Sequence, residues 1–148
     1  TPTATPTVTP VALISVANDT VEFGNSDGNS IWTVAAGPEI YLYLNDIDLS
    51  VTSNAADTYS MSDKMVKVTT TSDFAGEWVS INEVAEFTGS SALAATSGKF
   101  RGTITITNDA AAQGTNDDGV WVQSGDVVTA TYYDASLVAI DSDSVIAE

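Results

Sequence analysis

The chain contains neither cysteine nor histidine. No disulfide framework, thiolate nucleophile or Cys/His zinc site can form, and triads or dyads with a histidine base are excluded. Basic residues are scarce as well. Lys64, Lys67, Lys99 and Arg101 stand against 20 acids, giving a formal net charge of −16 over 148 residues. Such a surface disfavours nucleic acid and anionic membranes, both of which select basic patches. It keeps a protein dispersed and attracts cations. No apolar run reaches the roughly 18 residues of a spanning helix, so membrane insertion is not expected. No signal peptide is recognisable, and the first residue is Thr rather than Met, the expectation for a processed or trimmed chain.

What is present is β-prone. Hydrophobic residues make up 43% of the chain, enough for a core. Residues 1–10, "TPTATPTVTP", form a Thr/Pro-rich stretch that favours an extended arm, a spacer or an O-glycosylated stalk. Residues 11–148 then read as short strands separated by Gly, Asn, Asp and Ser turns. "EIYLYLN" puts Ile40, Leu42 and Leu44 on one face and Tyr41 and Tyr43 on the other. "KFRGTITIT" puts Phe100, Ile104 and Ile106 opposite Arg101, Thr103, Thr105 and Thr107. "GEWVSINEV" reads as one strand with Val79 and Ile81 on one side. "VWVQ" and "VVTATYY" read as a hairpin turned at Gly125-Asp126, and "LVAI" and "SVIAE" as two closing strands. Gly102 suits a bend or a close backbone approach inside its strand. The segment "SSALAATSG" fits a short helix or an irregular loop. Nine or ten such strands predict an all-β fold, an antiparallel β-sandwich, with a barrel as the alternative.

Three motifs carry a resemblance: Asp46-Ile47-Asp48-Leu49 after an early strand, Gly98-Lys99-Phe100-Arg101-Gly102 at a strand start, and "GDVVTATYYD" over residues 125–134. Over residues 33–145 the chain resembles an immunoglobulin-like module of bacterial and archaeal extracellular surface proteins, of the S-layer-like, adhesin and filament-forming kinds. The resemblance implies a structural module at the cell surface or outside the cell and transfers no catalytic residue.

Acidic turns are the candidate metal ligands. Asp46 and Asp48 sit in one turn, Asp117 and Asp118 in another, and Asp134, Asp141 and Asp143 lie near the end. Calcium takes carboxylate and carbonyl oxygens at flexible geometry, so a calcium joining the Asp46/Asp48 turn to a neighbouring loop is the one candidate cofactor, the expectation being none. Solvated loops and side-chain-capped turns explain the same acids without a metal. Glu77, Glu83 and Glu86 could in principle form a glycosidase carboxylate pair, but no supporting motif surrounds them and an enzyme is not expected. Trp32, Trp78, Trp121, Tyr41, Tyr43, Tyr132 and Tyr133 suit either sheet packing or a sugar platform. Asn18-Asp19-Thr20 is a glycosylation sequon at Asn18.

The segment Val11, Ala12, Leu13, Ile14, Ser15, Val16, Ala17 is uncharged and β-prone, with none of the charge, proline or bulge that protects an edge strand. Ala12, Ile14 and Val16 form its bulkier face. Lent to a second copy, it would complete that copy's sheet by strand addition, and head-to-tail lending builds an open fibre. The expected function is a structural subunit of an extracellular filament or surface assembly whose partners are copies of itself. The alternative is an adhesin or carbohydrate-binding module, with glycans as partners and residues 1–10 as its tether.

Overall fold

A computed structural model describes residues 17–37, 39–87, 92–114 and 119–148. The Thr/Pro arm and positions 11–16 of the donor segment lie outside the described residues, as do Asp117 and Asp118. Ala17 is exposed and precedes the first strand. Eleven strands follow: β1 Thr20–Gly24, β2 Thr33–Val34, β3 Glu39–Asn45, β4 Thr58–Tyr59, β5 Val66–Thr70, β6 Glu77–Val79, β7 Ile81–Val84, β8 Lys99–Thr107, β9 Gly119–Trp121, β10 Val127–Tyr133 and β11 Ala139–Ala147.

They form two sheets. One runs β1-β3-β8-β7-β4, with β9 alongside β8; the other runs β2-β11-β10-β5-β6. All pairings are antiparallel except β2 with β11 and β8 with β9. The order β1-β3-β8-β7 against β11-β10-β5 is the A-B-E-D on G-F-C order of an immunoglobulin-like sandwich.

Period-two alternation builds the core. β8 buries Phe100, Ile104 and Ile106, and β3 buries Ile40, Leu42 and Leu44. These pack with Val66, Val68, Val128, Ala130 and Val145 of the facing sheet. Each fully buried aliphatic or aromatic side chain stabilises the fold by about 1.5–3 kcal/mol. Gly102 is a close-approach position, because a Cβ there would lie 2.6 Å from the Ser80 carbonyl oxygen.

Three local expectations change, and one open alternative is resolved. "GEWVSINEV" is two strands: the chain leaves one sheet after Val79 and joins the other at Ile81. Alternation survives because Val79 and Ile81 face the core from opposite sheets. "VWVQ" and "VVTATYY" do not pair. β9 runs parallel to β8, while β10 belongs to the other sheet, so the Gly125-Asp126 turn joins sheets rather than hairpin arms. "LVAI" and "SVIAE" contribute to one nine-residue strand, β11, which begins at Ala139 after Leu137 in a left-handed turn at φ 59°. The described part of "SSALAATSG" is an irregular loop with a bridge from Leu93 to Val84.

Candidate functional site

With few cations available, buried carboxylates are matched to backbone amides and hydroxyls. Glu83, fully buried in β7, accepts from the Asp57 amide at 3.0 Å, the Gly98 amide at 3.1 Å and the Ser50 hydroxyl. Burial pushes its pKa up, but these donors outweigh that and hold it below the ordinary glutamate value. Asp57 accepts from the Val51 and Thr52 amides and the Thr52 hydroxyl, with the Thr52 bonds leading the effect that lowers its pKa. Buried Asp73 accepts from the Gly76, Gly114 and Trp121 amides, tying the β5–β6 turn to β9. Asp126 does the same for Ser72 and Gln123. None of these hubs was legible as one, although Asp73 in "TSDFAG" carries a turn signal.

The carboxylates weighed as a glycosidase pair are dispersed in role. Glu83 is held ionised, the reverse of what a general acid needs. Glu86 pairs with Lys99 at 2.9 Å on the surface, and Glu77 is buried in β6.

The Asp46/Asp48 turn gains a third acid. Asp19, held left-handed at φ 63°, brings its carboxylate to Asp46 and Asp48, with one oxygen of each within 4.8 Å of the others. One Asp46 oxygen accepts the Asp48 amide at 2.9 Å; the other accepts the hydroxyl of buried Tyr132. Partial desolvation first, then the charges of Asp46 and Asp48, push the Asp19 pKa up. The three carboxylates could supply oxygens to one calcium. Asp134, Asp141 and Asp143 do not join them. Asp134 caps its own turn through the Ser136 and Val138 amides. Asp141 and Asp143, pointing inward from β11, accept the β1 amides of Val21 and Phe23, each at 2.9 Å. Asn18 is exposed, and its side-chain oxygen accepts the Ile47 amide at 3.1 Å.

The seven aromatics do not form one platform. Tyr132 is in the core, and Tyr43 is covered on the outer face by Phe87 at 5.5 Å between ring centroids. Trp121 lies in β9, and Trp32 is exposed at the end of the sandwich. Tyr41 and Trp78 share a concavity.

Exposed large apolar side chains gather mainly toward the ends. At the end where β1 begins they are Ile47, Leu137, Val138 and Ile140. At the far end they are Trp32, Phe74, Val127 and Ile146, with Phe74 80% exposed on the β5–β6 turn. The flank between carries Thr and Ser, as in the Thr129–Ser144 pair across β10 and β11. Neither end was anticipated from sequence, because single apolar residues in turns have no periodicity to mark them.

No protein-family model matches the chain, and no curated protein sequence matches it.

Proposed function

We propose that the protein is a non-catalytic structural subunit of an extracellular filament or surface assembly, of the immunoglobulin-like surface-module kind, and that its partner is a second copy of itself. The observation that carries this reading is the concentration of exposed apolar side chains at opposite ends of the sandwich. Two different patches at two ends make a heterologous contact, which repeats head to tail without closing. Leu137 supports it further: an exposed leucine in a left-handed turn is strained and gains nothing for its own core.

In this assembly the apolar segment 11–17 completes the sheet of the neighbouring copy. The seam beside β1 of its own chain is already bridged by Asp141 and Asp143, which favours lending the segment outward. Deleting residues 1–17 is expected to leave monomers by size-exclusion chromatography and electron microscopy. The end patches are tested separately. Phe74→Asp blocks one end and Val138→Asp the other; each alone stops growth, and mixing the two variants yields dimers joined through their intact ends. Fibres assembling from the truncated chain would remove strand donation. Fibres assembling from both point variants would remove the end-to-end contact.

A further inference from the structure

On the flank of the sandwich, away from both ends, a groove of about 460 Å³ opens where the chain crosses between sheets at Ser80. Its floor is backbone, because Gly102 has no side chain and the Ser80 carbonyl approaches it closely. Tyr41 and Trp78 provide aromatic walls, and Glu39, Asn82, Thr103 and Arg101 provide polar groups. The Arg101 guanidinium lies over the Tyr41 ring at 4.4 Å from its centroid and donates to the Ser26 carbonyl at 3.3 Å, so its position is set in advance. Trp78 is fixed from behind by the Tyr133 ring at 5.3 Å and the Lys67 ammonium at 5.4 Å. A second concavity of about 390 Å³, lined by Ser60, Met61, Ser62 and Lys64, shares Trp78 and Ser80 with the groove.

We infer that this groove binds a neutral oligosaccharide chain, which lies across Trp78. Pyranose rings present an apolar C–H face to an aromatic ring and hydroxyls to planar polar groups; Trp78 suits the first, while Glu39, Asn82 and Arg101, held over Tyr41, suit the second. The volume is in the range of small-ligand sites. Charge argues for neutrality. Glu39 and Arg101 offset each other within the groove, and the net charge of −16 repels acidic glycans. Two concavities sharing one indole favour a chain over a single sugar.

The test uses the full chain on an array of neutral gluco-, manno- and galacto-configured oligosaccharides, followed by tryptophan-fluorescence titration with those retained. Binding is expected. Trp78→Ala should weaken it about tenfold. Asn82→Ala, at an exposed rim position that leaves the fold intact, should weaken it about fivefold. Trp32→Ala, at the far end, should leave it unchanged. Retention of no neutral glycan, or equal affinity in the Trp78 and Asn82 variants, overturns the inference. Capture of Thr/Pro-rich peptides in place of glycans also overturns it and gives the groove to an extended chain.

Discussion

The carboxylate of Asp141 accepts the backbone amide of Val21 at 2.9 Å, joining β1, the edge strand of one sheet, to β11 of the other. Two residues on, Asp143 repeats the contact with Phe23. A ladder cannot form between the two sheets here, so side chains supply the acceptors that a neighbouring strand would have supplied. Inward-pointing charge of this kind also protects an open edge.

Removing both acceptors should loosen that seam. Asp141→Ala with Asp143→Ala is expected to lower unfolding free energy by about 1–2 kcal/mol per site, read as a lower urea midpoint. The Asn variants retain an oxygen acceptor and should lose less. The exposed β1 amides of the double Ala variant should also promote disordered aggregation, measured by light scattering. Equal midpoints for the Ala variant and wild type would show that water replaces the carboxylates without cost.

Acid should weaken the fold through the carboxylate hubs. Asp57 and Glu83 are held below their ordinary values of 3.8 and 4.5. Their stabilisation is therefore present above those values and is lost as pH falls through the lowered folded values. Asp19 is raised above 3.8 and acts in the opposite direction: its contribution is present at low pH and is lost as pH rises through the raised value. The net expectation is a urea midpoint that falls as pH drops below about 4. Glu83→Gln should lower the midpoint at pH 7 and flatten this acid limb. An acid limb of unchanged steepness in the variant would assign the loss to other carboxylates.

Repulsion at Asp19 makes a separate prediction. Asp19→Asn relieves the charges of Asp46 and Asp48 and should raise the melting temperature in EDTA at neutral pH. Calcium at millimolar concentration should raise the wild-type melting temperature and have a smaller effect on Asp19→Asn. A wild-type melting temperature indifferent to both EDTA and calcium removes the metal and leaves only the repulsion.

Much of the fold was legible because alternation is local. "KFRGTITIT" and "EIYLYLN" announce their inward faces without reference to anything else in the chain, and β8 and β3 bury those faces. Tyr41 and Tyr43 were correctly placed on the opposite face. Their fate there depends on distant partners, Arg101 over Tyr41 and Phe87 against Tyr43. The crossing at Ser80 left no trace in the alternation, since a strand switching between facing sheets keeps the same residues pointing inward.

By itself the sequence determined the chemistry that was absent, the all-β class and the inward faces of the main strands, all of which follow from composition and from contacts between near neighbours. Only the tertiary structure decided which acid meets which donor. Asp46 and Tyr132 are 86 residues apart, and Asp141 and Val21 are 120 apart. The groove beside Trp78 and the two apolar ends were likewise decided by packing, because each gathers residues from separate strands and turns that share no period in the chain.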